Sequence, residues 1–61
     1  MKHRKLIKSV EDNGWWLERH GTNHDIYTNG KQIIPIPRHP DVNEETAKDI
    51  IKKTKKNPGR K

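Results

Sequence analysis

The chain has 61 residues, 36% of them charged and 26% hydrophobic, with a formal net charge of +6. It has no cysteine, which excludes a disulfide framework and a thiolate zinc cluster, and no apolar run approaches the roughly 20 residues of a spanning helix or forms a signal-peptide core. What remains is one small domain over residues 1–61, expected in the cytoplasm without membrane attachment, whose positive charge suits an anionic partner such as nucleic acid or an acidic protein surface.

So polar a composition borders on the disordered class, but the few apolar residues are patterned. Leu6, Ile7 and Val10 fall on one face of a 3.6-residue period, which predicts a helix over residues 2–13. Asn13-Gly14 ends it, because glycine takes the left-handed conformation that commonly follows a helix. Residues 15–20 read as a strand, with Trp15 and Leu17 toward the core and Trp16, Glu18 and His20 on the other side. Gly21-Thr22-Asn23 is a turn, and residues 24–28 form a second strand. Asn29-Gly30 then signals a tight hairpin with positive φ at both central positions. Residues 31–36 form a third strand, and Pro35 inside it removes a ladder donor, which places this strand at a sheet edge. Pro37-Arg38-His39-Pro40 forms a stiff loop. A second helix covers 43–55, with Asn43 as N-cap, Glu44 and Glu45 in the first turn and lysines at the end. Asn57-Pro58-Gly59 stops it, and a tail begins at about residue 57.

The order is therefore α-β-β-β-α, an α+β domain with both helices on one face of a three-stranded antiparallel sheet. The expected core is Leu6, Ile7, Val10, Trp15, Leu17, Ile26, Ile34, Ile36, Ala47, Ile50 and Ile51. Trp16, Glu18, His20 and Pro35 are left on the open sheet face. Trp16 there suits a partner contact, an unpaired base, or simple half-burial.

The residue that most suggests chemistry is His24, delivered by a short glycine-containing loop to the start of a strand. Imidazole changes protonation near neutral pH and is suited to general acid–base work. Position alone favours a polar strand residue with local hydrogen bonds. Asp25 follows it directly and, in a strand, faces the other way, so it reads as a surface carboxylate and not as a helper. His39 is a candidate general acid or phosphate ligand, and also an ordinary loop histidine. Lys31 and Arg38 flank the third strand and are the best candidates for phosphate contacts, which supply affinity without sequence information. His20 carries no signal, no histidine spacing supports a metal site, and no cofactor is expected.

Taken together, the helix ending in Gly14-Trp15, the loop Gly21-Thr22-Asn23-His24 and the segment Ile36-Pro37-Arg38-His39 resemble, in that order, the HicA toxin family of toxin–antitoxin systems. The loop is similar to the family's Gly-Ser-His or Gly-Ser-Asn-His loop, and the later segment to its Val-Pro-Arg-His. The likeness runs from about residue 5 to about residue 55. It implies a fold like the double-stranded-RNA-binding domain, mRNA cleavage that arrests growth, and neutralisation by a HicB antitoxin in a hetero-oligomer. It maps the family's histidine onto His24, positioned by the loop residues Gly21, Thr22 and Asn23; beside it, Lys31, Arg38 and His39 are the residues expected at the RNA phosphate. RNA carries its own nucleophile in the 2′-hydroxyl, so one base and some charge stabilisation suffice without a metal. The alternative is a non-catalytic RNA-binding module of the same fold. Two departures stand out: Thr22 where serine or glycine is usual, and a C-terminus reading Lys-Lys-Asn-Pro-Gly-Arg-Lys in place of Gln-Ala-Gly-Leu.

Overall fold

In a computed structural model, which describes residues 1–59, the apolar stripe of the first segment folds as helix α1 (His3–Asp12) with Leu6 and Val10 buried. Its end is a Schellman motif. Gly14 takes φ +90°, its N–H donates to Glu11 O at 2.9 Å, and Trp15 N–H donates to Val10 O at 3.2 Å. These bonds satisfy two carbonyls that the helix end leaves open.

The sheet is antiparallel in the order β1 (Trp16–His20), β2 (His24–Thr28), β3 (Ile33–Pro37). β3 is an edge strand, as Pro35 requires. Pro35 and Pro37 are two apart, so both withhold a donor on the same, outward side of that edge, which protects it from further strand pairing. Helix α2 (Glu44–Lys56) starts at Asn43, whose side chain accepts from the Glu45 N–H at 2.9 Å and the Thr46 N–H at 3.4 Å. Both helices lay their buried faces on one side of the sheet, where Leu6, Val10, Trp15, Ile34, Ile36, Ala47 and Ile50 form the core. Ile7 and Ile51 are partly buried against it. The α-β-β-β-α order is consistent with the double-stranded-RNA-binding-domain arrangement.

The structure corrects three local expectations. The first concerns the face of β2. Asp25 pairs with Ile36 and Tyr27 with Ile34, so Asp25 and Tyr27 face the helices, while His24 and Ile26 face the open side. Tyr27 and Val42 therefore join the core in place of Ile26. Tyr27 offers more apolar surface than Ile26, and the carboxylate turned inward beside it finds the Arg38 guanidinium and the His20 ring.

The second concerns β1, where Leu17 pairs with Tyr27 but Arg19 with Ile26. Glu18 is thus the extra residue of a β-bulge, and the alternation reverses across it. His20 moves from the open face to the Asp25 side. Leu17 faces the helices from the outer strand and stays 39% exposed.

The third concerns the β2–β3 connection, which runs from residue 29 to 32 and is not a two-residue primed turn. Among the described residues no non-glycine has positive φ, and Gly30 has φ +96°. Asn29 closes the turn through its side chain, its Oδ1 accepting from Lys31 N–H at 2.8 Å and Gln32 N–H at 2.7 Å.

The unusual C-terminal segment is docked over residues 57–59. The Asn57 carbonyl accepts from Trp15 Nε1 at 2.8 Å and from Asn29 Nδ2 at 3.0 Å. Gly59 N–H donates to Asn13 O at 2.9 Å. Arg60 and Lys61, expected as a tail, lie outside the described residues.

Candidate active site

The β1–β2 connection is tight because of Gly21. Its N–H donates to the His24 carbonyl at 2.7 Å, and a Cβ at Gly21 would lie 2.6 Å from that same oxygen. Only glycine allows so close an approach. The loop closes at His24, whose side chain is exposed on the open face.

Thr22, Asn23, His24, Arg38 and His39 line one open cleft of about 680 Å³. Five of the seven residues proposed from sequence therefore converge, and they come from two loops. Residues 22–24 arrive from the β1–β2 turn, and 38–39 from the exit of β3. The two loops meet because β2 and β3 are neighbours and His24 pairs with Pro37. Gly21 acts behind the cleft, shaping the loop.

Lys31 does not join them: it flanks the third strand, but at the end away from the histidine loop and not near it as expected. It sits in the 29–32 turn, beyond the Thr28–Ile33 end of the β2–β3 ladder. At ~3.3 Å per residue, the length of β2 puts that end about 13 Å from His24. Trp16 is also remote. It pairs with Thr28 at that end, is half-buried, and its Cη2 is 3.4 Å from where a Gly30 Cβ would stand.

Beneath the cleft lies a network that alternation alone did not reveal. Asp25 is 7% exposed. Its Oδ1 is 2.8 Å from His20 Nδ1 and 3.3 Å from Arg38 Nε. Arg38 Nη2 also donates to the carbonyls of Gly21 and Thr22, the latter at 2.9 Å. Arg38, expected at the phosphate, thus directs much of its donor capacity inward, onto Asp25 and the loop backbone. The one available signal was a carboxylate on the strand side opposite His24, which needs a cation if that side is buried.

Chemically, the arrangement presents two exposed imidazoles, two small polar loop side chains and the outer part of a guanidinium to one solvent-open cleft. Such a cleft can bind an anion and exchange protons with it. Among the described residues, no group of three or more His, Asp or Glu side chains is placed to hold a metal ion, and no helix is long and apolar enough to cross a membrane.

The family described as the HicA toxin of bacterial toxin–antitoxin systems matches residues 3–55 of the chain. No curated protein and no solved structure matches it. The match spans most of the chain, including both helices, the sheet and both cleft loops, so the chain belongs to the HicA toxin family and is the toxin of a toxin–antitoxin system.

Proposed function

We propose that this HicA-family toxin is an endoribonuclease that cleaves mRNA in the cytoplasm, stops translation and growth, and is held inactive by a HicB-type antitoxin. The observation that carries this reading is the convergence of His24 and His39 in one open cleft of a chain with a net charge of +6.

In the proposed reaction, RNA lies with a phosphodiester in the cleft. His24, as the neutral imidazole, takes the proton of the adjacent 2′-hydroxyl, whose oxygen attacks phosphorus. The P–O5′ bond breaks, and protonated His39 gives its proton to the leaving 5′-oxygen. The products are a 2′,3′-cyclic phosphate and a 5′-hydroxyl, and the two histidines exchange protons with solvent before the next turnover. The exposed side of the Arg38 guanidinium supplies positive charge where negative charge builds on the phosphoryl oxygens. Lys31, remote from the cleft, has no part in this chemistry.

Controlled expression in cells tests the proposal. Wild type is expected to arrest growth and deplete mRNA, His24→Ala to permit growth, and co-expression of a HicB-type antitoxin to restore growth to cells carrying wild type. If His24→Ala arrests growth as wild type does, the nuclease reading is wrong.

A further inference from the structure

We propose that Asp25 is a positioning residue that acts through Arg38 to set His24 and His39 against one another; the proposal rests on the nuclease reading above. Asp25 follows His24 in β2, and Arg38 precedes His39 beyond β3. The ion pair between them, Arg38 Nε to Asp25 Oδ1 at 3.3 Å, therefore joins the immediate neighbours of the two histidines. The same Oδ1 holds His20 Nδ1 at 2.8 Å, which ties in the last residue of β1.

Arg38 Nη2 extends the network to the carbonyls of Gly21 and Thr22. One guanidinium thus connects the loop before His24 with the carboxylate after it. Residues 22–24 and 38–39 are otherwise exposed loop and strand-end positions, the kind of segment that moves most freely. Asp25 itself is buried on the helix side, while His24 faces the open side, so its carboxylate influences the cleft through Arg38. Placement governs the effect: a displacement of about 1 Å can cost on the order of 10²-fold in rate.

The test is a double-mutant cycle of D25N and R38Q on turnover of a short single-stranded RNA, at a temperature where melting curves show every variant folded. D25N is expected to lower kcat about tenfold or more with KM within about twofold, R38Q to lower it at least as far because it also removes the positive charge at the phosphate, and the double variant to fall no further than R38Q, because Asp25 acts through Arg38. Amide hydrogen exchange at Gly21, whose N–H closes the loop on the His24 carbonyl, is expected to rise in D25N and R38Q alike, whether or not RNA is cleaved. A purely structural role for Asp25 would lower the melting temperature and leave kcat of the folded protein intact. The proposal is overturned if D25N turns over like wild type, if the two losses multiply, or if loop exchange in D25N is unchanged. Wild type that leaves RNA intact, with D25N still loosening the loop, would overturn the nuclease reading while leaving the pair's hold on the loop established.

Discussion

His24 and Asp25 are consecutive residues of β2 that face opposite sides of the sheet: His24 is exposed in the cleft, and Asp25 is 7% exposed among the partners that hold the cleft's loops. The side chain that meets solvent and the carboxylate that pairs with Arg38 are thus supplied by adjacent positions. A strand achieves this by simple alternation, provided the inward carboxylate is compensated, as it is here by Arg38 and His20.

Gly21→Ala tests how finely the loop is set. The added Cβ would stand 2.6 Å from the His24 carbonyl oxygen, so the backbone at His24 must give way. We expect a stability loss of about 1–3 kcal/mol, the usual scale of overpacking. Turnover in the folded protein should fall by on the order of 10²-fold, as displacement of a catalytic group predicts. Thermal melting and RNA cleavage, measured together, separate the two effects.

Asn29→Ala should do the reverse. Asn29 accepts two backbone N–H groups in its turn and donates to Asn57, all at the end of the sheet away from His24. Losing these bonds should cost roughly 1–3 kcal/mol. For a domain this small each 1 kcal/mol lowers Tm by about 4–8 °C. Cleavage at temperatures where the variant remains folded should match wild type. A loss of turnover there would mean that the two ends of the sheet are coupled.

These two predictions separate what the sequence revealed from what it concealed. Gly14, Asn43 and Pro35 were legible because each acts within a few residues of itself, as a left-handed cap, an N-cap and an edge-strand proline. His24 and His39 were legible as candidates from their loops. The face of β2 was not, because Ile26 and Tyr27 are adjacent apolar residues and either parity buries one of them. Glu18 gives no sign that it is a bulge, yet that bulge moves His20 to the Asp25 side. Lys31 misleads in a different way. It is close to His24 along the chain, but a strand carries the chain straight away from its starting point. The role of Arg38 depends on a contact across two strands, which no local pattern encodes.

Tyr27 makes the fold sensitive to alkali. Burial, chiefly, and then the nearby carboxylates of Glu11 and Asp25 raise its pKa above the ordinary tyrosine value. The folded state therefore favours the neutral phenol. Stability is fully present below the unfolded tyrosine pKa of about 10 and is lost as pH rises from there through the higher folded value. Tyr27 is the only tyrosine in the chain, so tyrosinate absorbance reports it alone. Its titration midpoint in folded protein should lie above that in denaturant, and Tyr27→Phe should remove this part of the alkaline destabilisation. Coincident midpoints would contradict the assigned burial.

The central claim is that His24 performs the proton transfer of RNA cleavage, and its most direct test is single-turnover cleavage of a single-stranded RNA by purified wild type and His24→Ala. His24 is exposed, so the variant should melt within about 0.5 kcal/mol of wild type, as surface substitutions usually do. Its cleavage rate should fall by about 10²–10⁴-fold, the scale of general acid–base catalysis. Wild type that leaves the RNA intact, or a folded His24→Ala that cleaves it at the wild-type rate, would contradict the account.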